Sequence, residues 1–343
     1  MSILIKKKRL VTGIKPTGDL TLGNYLGIIK PLLMFQKKFR HEYEIYFFIA
    51  DLHALTTVQD AILLKKNIYN IIFICLASGL DLESINLFVQ SDVPQHSYLH
   101  YIMESISYYG EMNRMIQFKK NKNNENKNLR ISLFTYPILM AADILLYDPD
   151  IVPVAEDQKQ HLELTRTLSR RFNSLYGKLF KVPNFFKSSE IIKSLKNPLN
   201  KMSKSSKRNN LDDDKGCIFM LEELELIREK ILKSVTDSDN KIKYNVSLKP
   251  GISNLLNIYS SFKGCSISQS EDFFKNYSYM EFKKTVSDLV VEKIGIIQKK
   301  FYFFKKQSFS FEDILKKNTI KMQKIADKKI KILKEKIGIG FLK

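Results

Sequence analysis

The residues best suited to chemistry are Lys201, Ser203, Lys204 and Ser205, which with Met202 read Lys-Met-Ser-Lys-Ser. Two ammonium groups and two hydroxyls on one short loop suit a polyphosphate, because a departing pyrophosphate gathers negative charge that fixed cations can neutralise. A second group lies near the start: Thr12-Gly13-Ile14-Lys15-Pro16-Thr17-Gly18, followed by Thr21-Leu22-Gly23-Asn24. Glycine there lets a ligand approach the backbone, and a helix start offers unpaired N–H groups and the positive end of a dipole to phosphate. Taken singly, the second group also describes an ordinary capped helix and the first an ordinary basic loop. Their pairing in an α/β context favours nucleotide chemistry.

The elements that must carry these groups alternate. Residues 8–14 read as a strand running into a turn, and residues 22–39 as a helix capped by Thr21. Residues 44–50 are nearly continuous apolar and aromatic, the pattern of a strand buried on both faces. A helix near 60–78, a strand at 86–90, helices at 95–109 and 133–146, a strand at 151–154 and an amphipathic helix at 157–172 follow. This order predicts a doubly wound parallel α/β sheet, a Rossmann-like nucleotide-binding domain, with ligands beyond the carboxyl ends of the strands. It places residues 13–24, 51–53 and 91–96 around one crevice. Past the Lys-Met-Ser-Lys-Ser loop the pattern is helical, with candidates at 221–234, 253–262, 271–304 and 311–337. The expected division is a catalytic domain over 1–190, a moving signature-loop region over 191–210 and a mostly α-helical domain over 211–343, whose last helices can pack back on the first.

Composition bounds the function. The chain has 343 residues, 44% of them hydrophobic, with 56 Lys and Arg against 36 Asp and Glu and a formal net charge of +20. That length exceeds what one hydrophobic core usually serves, and the excess charge suits a polyanionic partner such as nucleic acid. Heavy use of lysine, isoleucine and asparagine also fits an A+T-rich coding bias, which would account for part of the charge. The polar segment 119–130 reads as an exposed loop. Cys75, Cys217 and Cys265 lie far apart with no Cys-x-x-Cys pair, which argues against disulfides, structural zinc and an iron–sulfur cluster. No apolar run is long enough to cross a bilayer, so a cytoplasmic protein is expected.

The two motifs together resemble the signatures of class I aminoacyl-tRNA synthetases, with Thr21-Leu22-Gly23-Asn24 in place of a His-x-Gly-His element. The closer similarity is to the bacterial tryptophanyl-tRNA synthetase family. It extends through Phe48 to Ala54, Met140 to Tyr147, Val152 to His161 and Pro250 to Leu256. The resemblance implies that L-tryptophan attacks the α-phosphate of ATP, with Mg²⁺ arriving on the nucleotide and no dedicated metal site on the protein. The adenylate then esterifies tRNA(Trp). It places Lys15, Pro16, Thr17, Gly23, Asn24, Ala155, Glu156, Asp157, Ile192 and Lys201 to Ser205 on ATP, with Asn24, Lys201, Ser203, Lys204 and Ser205 closest to the chemistry. It assigns Asp143, Met140, Gln158 and His53 to tryptophan, and it implies a homodimer whose helical unit reads the anticodon. An indole N–H only donates, so a buried Asp143 carboxylate is its natural partner; Met140, at i and i+3, shares that face. His53 has no obligatory base to supply, because the attacking carboxylate is already ionised. His41, His96, His100 and His161 receive no catalytic role. Lys15, Leu52 and Ala155 depart from the usual glutamine, glutamine and glycine; the Ala155 methyl is expected to narrow the approach to ribose. The alternatives are a tyrosyl-tRNA synthetase, or a degenerate paralogue that only binds RNA.

Overall fold

The computed structural model describes residues 7–116, 130–154, 158–187, 191–202, 216–306 and 309–341. Ala155, Glu156, Asp157, Ser203, Lys204, Ser205 and residues 119–129 of the polar segment lie outside the described residues.

Five parallel strands form one sheet in the order β3-β2-β1-β4-β5: β1 Lys8–Ile14, β2 Tyr43–Ile49, β3 Ile85–Val89, β4 Ile151–Val154 and β5 Asn184–Lys187. The strands are parallel because each return path runs through a helix rather than a tight turn. The first half contains α1 Leu22–Asn24, a π-helical stretch Tyr25–Ile29, α2 Lys30–Phe39, α3 Asp51–Ala54, α4 Ala61–Ala77, α5 Gln95–Ser105, α6 Tyr109–Asn113, α7 Ile131–Leu145 and α8 Lys159–Tyr176. The second half is helical, with α9 Leu224–Leu232, α10 Pro250–Lys263, α11 Ile267–Phe273, α12 Tyr279–Lys306 and α13 Phe309–Ile337.

Side chains alternate across the sheet with the period of a strand. Leu10, Ile14, Ile45, Phe47, Ile85 and Leu87 face one side, where they join residues of α4 and, from the second half, Ile252, Leu255, Val286 and Val290. Val11, Tyr46, Phe48 and Phe88 face the other side, against Leu99, Met103, Ala141, Leu145 and Leu168. That second face also receives Met322, Ala326, Ile330 and Leu333, so α13 returns to the sheet. Polar contacts fix its docking: Asn318 Nδ2 donates to the Leu82 carbonyl at 3.2 Å and Gln323 Nε2 to the Asp92 carbonyl at 2.7 Å.

Three differences from the sequence pattern have local causes. The helix at 22–39 widens into a π-turn, with the Lys30 N–H bonded to the Tyr25 carbonyl five residues back. Pro31 follows at once; it lacks an N–H and its ring would meet the carbonyl of Gly27, so the widened turn relieves both problems. The segment 271–304 is two helices, because Ser278 starts the second: its N–H donates to Glu281 Oε2 at 2.8 Å and its Oγ accepts from the Glu281 N–H at 3.3 Å. The helix at 95–109 stops at Ser105, and Tyr108 begins α6 with its N–H on Glu111. Among the described residues no helix is long and apolar enough to cross a membrane.

Candidate active site

The strand order reverses between β1 and β4, so the crevice opens beyond their carboxyl ends. Lys15, Pro16 and Thr17 follow β1 at that point. Pro16 is buried, while Lys15 stays exposed to solvent at the rim. Although exposed by surface area, Lys15 is crowded by neighbouring protein, and that partial desolvation lowers its ammonium pKa. Gly13 serves packing: an added Cβ would lie 2.6 Å from the Phe48 ring, which faces Phe88 and His96.

The two sequence motifs meet. Thr21 Oγ1 accepts the Asn24 N–H at 3.1 Å and donates to Asn24 Oδ1 at 2.9 Å, which fixes the Asn24 amide and leaves its Nδ2 without a partner among the described residues. An added Cβ on Gly23 would sit 3.3 Å from the Met202 carbonyl oxygen. Both sides of the signature loop are anchored here. On one side the Met202 N–H donates to the Ile192 carbonyl at 2.9 Å, Lys193 bridges Lys201, and Ile192 and Met202 are buried. On the other side Thr21 bridges Phe219, the Leu22 N–H donates to the Ile218 carbonyl, and the Met220 N–H donates to the Leu20 carbonyl, both at 2.8 Å.

Two polar devices hold those anchors. Asn254 of α10 clamps the Lys193 backbone, accepting its N–H at 2.7 Å and donating to its carbonyl at 2.8 Å. Lys230 of α9 pairs with Glu222 and donates to the Cys217 carbonyl at 2.9 Å, with both charged groups largely buried. Gln298 of α12 adds a bond to the Glu222 carbonyl at 2.7 Å.

A second polar cluster lies at the ends of β2 and β3. Asp143, on α7, is 1% exposed. His53 Nε2 donates to its Oδ2 at 2.8 Å, and Gln90 Nε2 and His96 Nδ1 donate to its Oδ1 at 2.7 and 2.6 Å. Burial alone would raise the Asp143 pKa, but the hydrogen bonds from His53 and His96 outweigh it and hold the carboxyl well below the usual carboxylate range. Around it, the His53 ring stands edge-on to Tyr136, and Tyr136 to His161, whose Nδ1 donates to Gln158 Oε1 at 2.8 Å. Met140, one turn before Asp143, packs against the Ile144, Val152, Val154 and Leu162 cluster.

The structure therefore brings Lys15, Pro16 and Thr17 to the end of β1, Gly23 to Met202, which pairs in turn with Ile192, and His53 to Asp143. Gln90 and Tyr147 join the Asp143 cluster without a sequence signal of their own, and so does His96, which the order of elements put at the crevice but which received no role. Gln90 and His96 flank the end of β3 among other polar residues, and Tyr147 lies inside an apolar block where its hydroxyl is unremarkable.

Comparison with known proteins follows the same lines. Residues 6–294 match a family model described as tRNA synthetases class I (W and Y). The tryptophan–tRNA ligase of Oceanobacillus iheyensis is 44% identical over 335 residues, which is 97% of this chain and 99% of the relative. Tryptophanyl-tRNA synthetase from Mycoplasma pneumoniae superposes with a TM-score of 0.88 at 34% identity, covering 98% of this chain and 99% of the other. The Campylobacter jejuni enzyme, solved with ADP and tryptophan, gives 0.76 at 29% identity, covering 96% of this chain and all of that one. With the family matched over most of its length and relatives of one kind aligned almost end to end, the chain belongs to the class I tRNA synthetases, in the tryptophan–tRNA ligase family.

Proposed function

We propose that this protein activates L-tryptophan with Mg²⁺-ATP, releasing pyrophosphate, and passes the tryptophanyl group from the adenylate to tRNA(Trp), releasing AMP. The observation that carries the amino-acid assignment is the buried Asp143 carboxylate, an acceptor with three donors already in place. Oδ2 carries one of them, so an acceptor position remains for the indole N–H. A phenylalanine side chain would leave that acceptor unmatched, and sites built around a hydrogen bond reject such analogues strongly. Met140, Gln158 and His53 complete our tryptophan site.

ATP is assigned to the crevice between β1 and β4. Lys15, Pro16 and Thr17 meet the nucleotide at the end of β1, Gly23 and Asn24 at the helix start, and the Ile192 backbone at the adenine. Lys201 and Met202, with Ser203, Lys204 and Ser205, act on the phosphates, and Ala155, Glu156 and Asp157 on the ribose side. In this reading the magnesium ion arrives bound to ATP, with no dedicated site on the protein. Positioning and charge neutralisation supply the catalysis, since the attacking carboxylate needs no base.

The division into a catalytic part over 1–190, a signature-loop region over 191–210 and a helical tRNA-binding part over 211–343 is part of this reading, with α13 serving the catalytic part. So is a homodimer. Tyr108, Tyr109, Ile116 and Ile131 are exposed apolar side chains, and Tyr109 lies 5.5 Å from the Phe134 ring at the start of α7, a patch suited to a second copy.

Amino-acid-dependent exchange of labelled pyrophosphate into ATP tests the assignment. Exchange with tryptophan is expected. Exchange with tyrosine alone would overturn the specificity, and none with any amino acid would favour a protein that only binds RNA. Aminoacylation of tRNA(Trp) then tests the second step.

A further inference from the structure

Beneath Asp143 lies a buried layer that the reaction itself does not call on. His96 is fully buried, its Nδ1 on Asp143 Oδ1 at 2.6 Å and its Nε2 on the Tyr147 hydroxyl at 2.8 Å. A carboxylate only accepts, so Nδ1 carries the proton that is donated to Asp143. The buried Tyr147 phenol keeps its own proton and donates to Nε2, which fixes the tautomer of the ring. The rings of Phe48, Phe88 and Tyr147 lie 5.8, 6.0 and 5.5 Å from that imidazole and hold its plane. Gln90 brings a second donor to the same Oδ1, its own carbonyl oriented by the Leu52 N–H at 3.2 Å.

We propose that His96, oriented by Tyr147, is a positioning residue that fixes the Asp143 carboxylate and so sets selectivity for a side chain carrying an N–H donor. With two donors committed to Oδ1, the carboxylate cannot rotate to exchange its oxygens. Oδ2, shared only with His53, keeps an acceptor position for the indole N–H. A protonated carboxyl there would set a donor against the indole donor, so the layer that keeps Asp143 ionised also keeps the pocket selective. The inference rests on Asp143 being the indole acceptor.

Pyrophosphate exchange on the full-length protein tests it, with tryptophan and its benzothiophene analogue, in which sulfur replaces the ring N–H. His96→Leu removes both hydrogen bonds. It is expected to raise the KM for tryptophan about tenfold or more, to hold the KM for ATP within about twofold, and to erode preference for tryptophan over the analogue. His96→Asn, whose amide can occupy the Nδ1 position, should restore most of the preference. Tyr147→Phe should weaken it in the same direction and by less. Preference unchanged in a folded His96→Leu protein, or equal changes in both KM values, overturns the proposal. Should His96→Leu fail to fold, wild-type kinetics and preference in Tyr147→Phe overturn it instead. If the wild-type protein itself fails to prefer tryptophan to the analogue, the assignment of Asp143 falls, a result distinct from failure of the His96 role.

Discussion

The Met202 carbonyl oxygen lies 3.3 Å from the place where a side chain on Gly23 would begin, so the signature loop and the first helix of the nucleotide turn touch at a glycine. Gly23 is thus required by its protein neighbour. Gly23→Ala would push Met202 by a few tenths of an ångström and carry Lys201 with it. Displacements of this kind at a reacting phosphate are costly, and exchange is expected to fall about tenfold or more. Thermal unfolding should move little, since the strain is local. Wild-type exchange rates in this variant would show that the contact does not position the loop.

Asn254 provides a second handle on the same loop from 61 residues away in sequence. Its amide satisfies both the N–H and the carbonyl of Lys193 and is 2% exposed. Asn254→Ala leaves two backbone groups unpaired, a destabilisation of about 2–4 kcal/mol. Denaturant unfolding should show a lower midpoint at similar slope, and exchange should weaken more in ATP than in tryptophan. Equal loss for both substrates would mean that the clamp serves the fold and not the loop.

Much of this was legible in the chain because the signals are local. The run 44–50 could only be a doubly buried strand, and it is β2. The motif at 21–24 announced a cap, and Thr21 and Asn24 form one. What escaped was either short or distant. β5 is four residues with no alternation to read, and the π-turn at Tyr25–Ile29 depends on how Pro31 resolves its clash. Ser278 and Glu281 did carry a readable capping box inside what otherwise read as one helix. In the site, a lone carboxylate in an apolar helix reads by itself as an ordinary satisfied aspartate, and only the family resemblance singled out Asp143; Gln90, His96 and Tyr147 reach it from other elements. His96 is separated from Asp143 by 47 residues, so only the folded sheet brings the two together.

The Lys230 and Glu222 pair fixes the far side of the signature loop in an environment where neither charge is well hydrated. Removing one partner is therefore worse than removing both. Lys230→Met alone should cost about 3–5 kcal/mol, since it strands a buried carboxylate. Lys230→Met with Glu222→Gln should recover a substantial part of that loss, read as a coupling energy between the two sites in chemical denaturation. Additive effects would show that the ion pair is not what holds this segment.

The ionisation of Asp143 gives a prediction with a definite sign. Burial raises its pKa, but hydrogen bonds from His53 and His96 reverse that, so the folded value lies below the ordinary one of about 4. Such a group contributes stability that is present above the unfolded pKa and lost as pH falls through the folded one. The groups around it include His53 on α3, His96 and His100 on α5, and Tyr147. Burial lowers the His100 pKa, so that ring stays neutral near pH 7, and burial raises that of Tyr147. The wild-type KM for tryptophan should thus hold nearly constant between about pH 7.5 and about pH 5. His53→Phe removes one stabilising donor while burial persists, so the carboxyl pKa rises. In that variant the KM for tryptophan should begin to climb at a higher pH than in the wild type as pH is lowered, while the KM for ATP follows the wild-type trend. Parallel pH profiles for the two proteins would show that His53 does not maintain the acceptor.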